Sequence, residues 1–324
     1  RKEKWFLKGS ELEIVNDYKY LGFVFTSKLS VVSALNQVVR RGKGKVVDIL
    51  KTMWSLGKLD LSFFFKLFDA QVKPMLLYAS EVWGAIHYKC IESVQLFALK
   101  RLLGVSPRTP NTMVYGETAR CPLYIDSTIS TVRYWFKLLR MDADRLPRQA
   151  YDMSLREVND KNWPITVKKT LDDYGFSFVW MNNGVTNENA FLKLLKQRMT
   201  DSFFQHWSSK LEGSERFTLY RSFKPYFNSE DYFTKLTISK FRIVFTRFRL
   251  GMNVLKTNQR YKTVDYTCSC GKSIENEVHF LFVCSHYVDL RNKYLQKHIQ
   301  FKNCGNAVLL RFILSSKRNC VRLL

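Results

Sequence analysis

The stretch Ser30–Trp54, SVVSALNQVVRRGKGKVVDILKTMW, indicates the fold class. Ser30 is a residue type that caps helix N-termini, and apolar residues follow it at the spacing of one helix face. The same apolar stripe resumes beyond the basic run Arg40–Lys45. Further stripes with helical spacing recur along the chain as far as residue 250. The sequence therefore predicts a mainly α fold.

Residues 1–29 have the pattern of strands instead. Lys4–Lys8 and Glu11–Val15 flank a Gly-Ser pair, and in the second segment Leu12 and Ile14 alternate with acids, which predicts a hairpin with a half-buried strand. Tyr18–Thr26 is rich in aromatic and β-branched residues, which predicts one further strand. We therefore expect a small N-terminal antiparallel β element.

Changes in composition predict four domains. Proline, glycine and paired asparagines interrupt the helical pattern between residues 145 and 190, which indicates a hinge. The predicted order is a β-hairpin segment at 1–29, a helical domain at 30–145, a helical connecting region at 146–230 and a basic, helical C-terminal domain at 231–324 that contains a Cys/His module at 268–284.

The charge balance indicates a polyanionic partner. Among 324 residues, 52 are Lys or Arg and 28 are Asp or Glu, which gives a net charge of +24. The last 94 residues alone carry 17 bases and 5 acids. Nucleic acid is the commonest polyanion, so we expect it as the partner, with a merely soluble basic protein or a protein that rides on anionic membranes as alternatives. The sequence contains no run of about 20 apolar residues, so a membrane span is not expected. The first residues do not have the pattern of a secretory signal.

The cations that are candidates for phosphate contact fall into three groups. The first stands beside two glycines that allow the backbone to approach a phosphate closely, the second flanks a loop, and the third occupies the polar positions of a predicted helix. They are Arg40, Arg41, Lys43 and Lys45; then Lys100, Arg101 and Arg108; then Lys240, Arg242, Arg247 and Arg249. Tyr18 and Tyr20 could stack on bases, whereas a place in the core is favoured for Phe23 and Phe25.

Three of the seven cysteines cluster with one histidine: Cys268, Cys270, His279 and Cys284. Three thiolates and an imidazole match a closed, structural zinc site. Cys268 and Cys270 would share one face of an extended segment, and Gly271 allows a tight turn after them. His279 and Cys284 would lie about 140° apart on a helix, so a helix that carries the histidine must end before Cys284. The alternative is an apolar core segment with incidental cysteines. The total of seven is odd and the other four cysteines are scattered, which fits a reducing compartment better than a disulfide framework.

No catalytic centre is visible in the sequence. Nucleotidyl transfer and nuclease chemistry need clustered carboxylates to hold Mg²⁺, but Asp172-Asp173 is the single adjacent Asp pair. Its expected role is a solvated surface. The chain also lacks a phosphate-binding G-x-x-x-x-G-K-[ST] loop and a G-x-S-x-G nucleophile elbow.

Five pieces, in this order, resemble the downstream part of a non-LTR, LINE-type retrotransposon reverse transcriptase. They cover about residues 1–145 and 235–295. They are Tyr18–Phe25 (YKYLGFVF), Leu67–Gly84 (LFDAQVKPMLLYASEVWG), Val94–Gly104 (VQLFALKRLLG), Glu117–Leu123 (ETARCPL) and the knuckle-like set Cys268, Cys270, Glu277, His279, Cys284, Tyr287 and Arg291.

The resemblance implies a primer-grip hairpin, a thumb and a Cys/His knuckle, in which Lys19, Tyr20, Leu21 and Gly22 would position the primer end. The Mg²⁺-binding aspartates of the family's palm have no match here, and the first residue is not Met, so we expect a fragment that binds template RNA, primer DNA and target DNA but is inactive alone. Zinc would be structural, and magnesium would belong to the missing palm. An intracellular ribonucleoprotein, nuclear and cytoplasmic, is implied. The alternative is a non-catalytic binding or scaffold protein derived from such an element. The oligomeric state has no signal in the sequence.

Overall fold

The chain folds mainly into α-helices, which confirms the predicted fold class. The computed structural model describes residues 4–28, 30–57, 60–157, 162–236, 238–258, 265–295 and 305–315. Its contacts form two compact units: unit 1 is residues 1–47, 69–94 and 123–193, and unit 2 is residues 48–68, 95–122 and 194–324. The predicted boundaries after residues 29, 145 and 230 do not coincide with the edges of these units, because each unit is assembled from segments that are distant in the chain.

The N-terminal segment of unit 1 holds two separate hairpins. Strands β1 (Trp5–Leu7) and β2 (Ser10–Leu12) pair antiparallel, which confirms the predicted hairpin. The expectation that this hairpin is half buried was wrong, because Leu12 is 46% and Ile14 66% exposed.

The segment predicted as one further strand is itself a hairpin. Strand β3 (Asp17–Tyr20) pairs with β4 (Phe23–Thr26). Leu21 and Gly22 have φ values of 47° and 87° between the two strands. Two consecutive residues with positive φ make the tight turn that suits a two-residue hairpin loop, so the chain reverses where the sequence pattern predicts that it continues.

Helix α1 (Val31–Ser55) runs without a break through the basic segment and both of its glycines. A Cβ atom on Gly42 would lie 2.8 Å from Cδ2 of Leu76 and 3.2 Å from Cγ1 of Val94. Gly42 therefore allows Leu76 and Val94 to pack closely against α1. The prediction that this glycine lets the backbone approach a phosphate was wrong, because apolar side chains occupy that space. A Cβ on Gly44 would meet nothing within 4 Å.

Fifteen further α-helices follow in the described part of the chain. They are α2 (Leu61–Leu67), α3 (Lys73–Leu76), α4 (Ser80–Trp83), α5 (Lys89–Leu103), α6 (Asn111–Thr118), α7 (Leu123–Leu139), α8 (Leu146–Arg156), α9 (Trp163–Asp173), α10 (Ser177–Met181), α11 (Glu188–Glu212), α12 (Thr218–Phe223), α13 (Tyr232–Lys235), α14 (Ser239–Arg249), α15 (Val288–Tyr294) and α16 (Asn306–Leu314). A π-helical turn spans Phe68–Val72, and Pro74 lies in the first turn of α3, where its missing N–H costs no helical hydrogen bond. No helix among the described residues combines the length and hydropathy needed to cross a bilayer.

The core of unit 1 centres on α7. Its Ser127 and Thr131 hydroxyls donate to the carbonyl oxygens of Gly84 and Ser80, at 3.0 Å and 2.9 Å. These bonds satisfy carbonyls at the ends of the short helix α4, which has few internal partners of its own. Trp135 of the same helix is fully buried and stacks on Trp180 at 5.2 Å between ring centroids.

The core of unit 2 holds α6 against α11 and α12. The indole of Trp207 donates to the carbonyl oxygen of Thr112 at 2.8 Å, and the hydroxyl of Tyr220 donates to that of Met113 at 3.3 Å. Each bond satisfies a polar atom of a large aromatic residue that is otherwise surrounded by apolar side chains.

Candidate metal centre and nucleic-acid interface

The four predicted ligands meet in one cluster in unit 2, which we call the Cys/His cluster: Cys268, Cys270, His279 and Cys284. Their ligand atoms all lie within 4.8 Å of one another. The Sγ atoms of Cys268 and Cys284 are 3.7 Å apart, and Sγ of Cys270 lies 3.2 Å from Nε2 of His279. Three of the four residues are buried, and Cys270 is half buried. The Cys/His cluster can hold a metal ion.

A small turn delivers the first two cysteines. Thr267 and Ile274 form an isolated antiparallel bridge, and the backbone N–H of Cys268 donates to the carbonyl oxygen of Ser273 at 2.8 Å. Gly271 closes the turn with φ 74°. The single residue between Cys268 and Cys270 therefore leaves both thiols in the same cluster, as the sequence predicts.

The second half of the cluster confirms that the helix ends before its last ligand. His279–Val283 is a π-helical turn, and Cys284 follows with extended backbone at ψ 126°. The Asn276 side chain accepts from the backbone N–H of His279 at 2.8 Å and fixes the start of the turn. The guanidinium of Arg291 donates to the carbonyl oxygen of Cys284 at 2.6 Å and fixes its end.

The thiols of the Cys/His cluster differ in acidity. The backbone N–H of Lys272 lowers the pKa of Cys270 to about 6, with help from Cys268, His279 and Cys284. Burial raises the pKa of Cys284 above its ordinary value. Cys270 is therefore mainly a thiolate at neutral pH even without a metal. Cys284 loses its proton at neutral pH only when a cation, such as a bound metal ion, stabilises its thiolate.

In unit 1, the structure joins two of the predicted nucleic-acid segments. The guanidinium Nη2 of Arg41 donates to the carbonyl oxygen of Gly22 at 3.0 Å, which ties α1 to the turn between β3 and β4. Arg40 and Lys45 are exposed on α1, whereas Lys43 is half buried. The remaining predicted residues of the hairpin, Lys19, Tyr20 and Leu21, are all exposed.

In unit 2, the structure joins a second group. Arg247 of α14 donates from Nε to the carbonyl oxygen of Gly104 at 2.6 Å, at the end of α5. Lys100 bridges the following loop by donating to the carbonyl oxygen of Pro107 at 2.8 Å, and burial lowers its pKa. Three further predicted cations are exposed in these segments. Arg101 belongs to α5, Arg108 belongs to the loop after it, and Lys240 shares the α14 face of Arg247.

Two of the predicted α14 contacts need correction. Arg242 is 3% and Arg249 1% exposed, so neither guanidinium lies on the surface where a phosphate could reach it. The buried residues of α14 are Arg242, Phe245, Thr246 and Arg249, which share one helix face. The apolar Phe241 and Val244 are 48% and 58% exposed, so residue type alone does not indicate which face is covered. Burial of an arginine requires paired acceptors, and for Arg249 the structure supplies them.

Arg249 belongs to a buried ionic network that sequence reasoning missed, and which we call the Glu117 cluster: Glu117, Lys224, Glu230, Tyr232, Thr246 and Arg249. The guanidinium of Arg249 donates two hydrogen bonds to the Glu117 carboxylate, from Nη2 to Oε1 at 2.8 Å and from Nε to Oε2 at 3.0 Å. Its Nη2 also lies 3.0 Å from Oε2 of Glu230, whose Oε1 meets Nζ of Lys224 at 2.5 Å. The hydroxyl of Tyr232 donates to Glu117 at 2.7 Å.

The Glu117 cluster has no net charge, because two carboxylates face two cations. Burial raises the pKa of Glu117, but the Arg249 guanidinium more than offsets it, so this pKa lies below its ordinary range. Burial raises the pKa of Glu230 and lowers that of Lys224. The one local signal for this cluster is an acid, Glu117, inside the otherwise apolar and hydroxyl-bearing helix α6; its partners stand more than 100 residues away.

Among the described residues, the Cys/His cluster is the one group of three or more metal-ligating side chains that lie close together. Asp172 and Asp173 are not part of any such group. Comparisons with protein-family models, curated proteins and solved structures give no match to this chain.

Proposed function

We propose that this chain is a nucleic-acid-binding portion of an RNA-directed DNA polymerase of the non-LTR retrotransposon type, without a catalytic centre of its own. The primer-grip role belongs to the β3–β4 hairpin and α1, and further phosphate contacts belong to the cations around Gly104 and Arg247. The net charge of +24 supports a polyanionic partner.

The observation that carries the proposal is the bond from Arg41 to the carbonyl oxygen of Gly22. The hairpin turn and the basic run are two separate candidates in the sequence, about 20 residues apart, and this bond makes them neighbours. Arg40 and Lys45 stay exposed beside it. Exposed cations held beside one another in this way can contact the phosphates of one strand.

The metal that we propose for the Cys/His cluster is structural zinc. A regular tetrahedron with Zn–S bonds of about 2.3 Å has sulfur–sulfur edges of about 3.8 Å and sulfur–nitrogen edges of about 3.6 Å. The sulfur–sulfur separation of 3.7 Å is near the first value, the sulfur–nitrogen separation of 3.2 Å is shorter than the second, and no two ligand atoms are more than 4.8 Å apart. Four protein ligands leave no open position, so zinc would hold the turn 268–271 against residues 279–284 rather than supply chemistry.

The test of nucleic-acid binding is its salt dependence. Binding of a single-stranded RNA to the full chain, measured by fluorescence anisotropy between 50 and 200 mM salt, should weaken steeply, because each phosphate contact releases counterions. Affinity that stays constant over this range would contradict the proposal.

A matched pair of variants locates the contact. Arg40→Ala with Lys45→Ala removes two exposed cations beside the hairpin, and Lys168→Ala with Lys169→Ala removes two exposed cations of α9 in the same unit. The first pair should make the plot of log affinity against log salt less steep by about 1.4, since each contact to a single strand contributes about 0.7, and the second pair should leave it unchanged. An equal effect of both pairs would assign the binding to net charge alone.

The link to a polymerase is tested separately. We expect the transcript upstream of Arg1 to encode, in the same frame, a Tyr/Phe-x-Asp-Asp segment that could hold Mg²⁺. A start codon close to Arg1 would favour the binding or scaffold protein instead, and would leave the salt experiment unaffected.

A further inference from the structure

A cavity of about 380 Å³ lies in unit 1 between the β3–β4 hairpin, the start of α1 and the segment Tyr78–Trp83. Its volume is in the range of small-ligand sites. Its walls are almost entirely apolar, and five of the residues that line it are aromatic: Tyr20, Phe23, Phe25, Tyr78 and Trp83.

The cavity has a fixed floor and an open mouth. Trp83 is 5% exposed, and its indole Nε1 donates to the carbonyl oxygen of Tyr78 at 3.1 Å, which holds the floor in place. The rings of Phe23 and Phe25 contact each other with centroids 5.3 Å apart. Tyr20 and Tyr78 are 55% and 47% exposed, and Phe25 is 45% exposed, although the sequence favours a core position for Phe25. Aromatic faces are therefore available from solvent.

Cations stand at the same hairpin. Tyr20 directly precedes the turn Leu21–Gly22, and the carbonyl oxygen of Gly22 accepts the bond from Arg41. Arg40 and Lys45 are exposed on α1 next to this bond. A purely apolar ligand would make no favourable contact with these cations. A nucleotide can stack its base on the aromatic rings and bind the cations through its phosphate.

We propose that this cavity takes one unpaired base of a single strand whose phosphates contact Arg40 and Lys45. The inference rests on the proposed nucleic-acid binding and adds a base-stacking site to it. Because the walls are almost entirely apolar, they can stack on the face of any base but read few of its edge groups. The site therefore selects single-stranded nucleic acid over a duplex and has little sequence preference.

The experiment compares two tyrosines of one strand. Of the two tyrosines that the sequence suggests for base stacking, Tyr20 lines the cavity, whereas Tyr18, which is 60% exposed on the same strand β3, does not. The base site is therefore assigned to Tyr20 and not to Tyr18. With a 12-nucleotide single-stranded RNA, Tyr20→Ala should weaken binding about tenfold, within the range for loss of one stacked base, and Tyr18→Ala less than twofold. Val82→Trp, at an exposed position of the wall, should block the cavity and weaken binding similarly without removing an aromatic ring.

An oligonucleotide that carries the same phosphates but only abasic sugars separates stacking from charge. The wild-type chain and Tyr20→Ala should bind it with equal, salt-dependent affinity. If Tyr20→Ala binds the normal RNA as well as Tyr18→Ala does, the base site is wrong, while salt-dependent binding would still support the proposed function. If the wild-type chain shows no salt-dependent binding at all, both proposals fail. A Val82→Trp variant that binds RNA as tightly as wild type would also overturn the base site.

Discussion

Unit 2 buries two polar clusters that differ in how they balance charge. The Cys/His cluster draws its four side chains from 17 consecutive positions and brings together three thiols, whose negative charge as thiolates a divalent metal ion would largely offset. The Glu117 cluster draws on residues as far apart as 117 and 249, and its two carboxylates already face two cations. One cluster is local and could hold a metal ion, and the other is long-range and already balanced in charge.

This difference explains why one cluster is visible in the sequence. Metal-ligating residues at short spacing have few other reasons to occur together, so their pattern predicts a site. A buried ion pair between distant helices has no spacing rule, and each of its members alone resembles a surface residue. The following predictions test two points: whether each cluster can be disrupted without the other, and whether a metal stabilises the Cys/His cluster while ion pairs stabilise the Glu117 cluster.

The largest expected effect is metal removal. Structural zinc sites contribute on the order of 10 kcal/mol to the folding of small modules at neutral pH. A chelator should therefore abolish amide protection in residues 265–295 and leave α6 and α14, which hold the Glu117 cluster, protected. Hydrogen exchange followed by mass spectrometry measures both regions in one experiment.

Matched cysteine variants provide the control. Cys284→Ser should lose stoichiometric metal, whereas Cys90→Ser, at a half-buried cysteine outside the cluster, should retain it. Purified wild-type chain without bound metal, or equal metal loss in both variants, would contradict the assignment.

The next effect concerns the complete cluster. Arg249→Met leaves Glu117 buried without its bidentate partner and should lower the free energy of unfolding by about 3–5 kcal/mol in urea titrations. Lys240→Met, at an exposed position of the same helix, should change it by no more than about 0.5 kcal/mol.

A double variant separates a lost attraction from an unpaired charge. Glu117→Leu combined with Arg249→Met leaves Lys224 paired with Glu230, so it should be more stable than Arg249→Met alone. A double variant that loses the sum of the two single effects would mean that the residues act separately.

The pH dependence of metal binding should follow the thiols. Protons compete with the metal for Cys270, whose pKa is about 6, and for Cys284, whose pKa lies above its ordinary value. Affinity should therefore rise through neutral pH by about tenfold per pH unit for each proton released, and fall more steeply below about pH 6. Competition with a chromophoric chelator between pH 5.5 and 8.5 measures this slope. A flat profile would mean that the thiols are not the ligands.

The smallest expected effect concerns two glycines of α1 in unit 1. The local helix propensity alone determines the effect at one of them, and a contact with a distant residue determines it at the other. Gly42→Ala and Gly44→Ala make the same change two residues apart in α1. Alanine in a helix interior favours folding by about 1 kcal/mol, and Gly44→Ala should show this gain. Gly42→Ala should instead destabilise by about 1–2 kcal/mol, because its Cβ would lie 2.8 Å from Leu76. Thermal unfolding of both variants tests the sign, and two gains would show that the contact relaxes freely.

Much of the secondary structure could be predicted, and the exceptions have identifiable causes. The apolar spacing in Ser30–Trp54 predicts α1, since this helix is long and buries an apolar stripe. The single strand expected at Tyr18–Thr26 is a hairpin, since Leu21 adopts a positive φ that its residue type does not signal. The exposed fractions of Leu12 and Ile14 could not be predicted, because alternation shows which residues share a face and not whether anything covers that face.

The sequence by itself determined the helical class, the excess of positive charge and the four side chains of the Cys/His cluster, because each depends on residue type and on spacing within one segment. Tertiary structure alone decided which cations are exposed. It placed the exposed Arg41 against a hairpin turn and Arg249 inside a neutral network, although both are arginines on basic helices. Burial depends on which distant segments pack together, and here those segments are separated by as many as 132 positions.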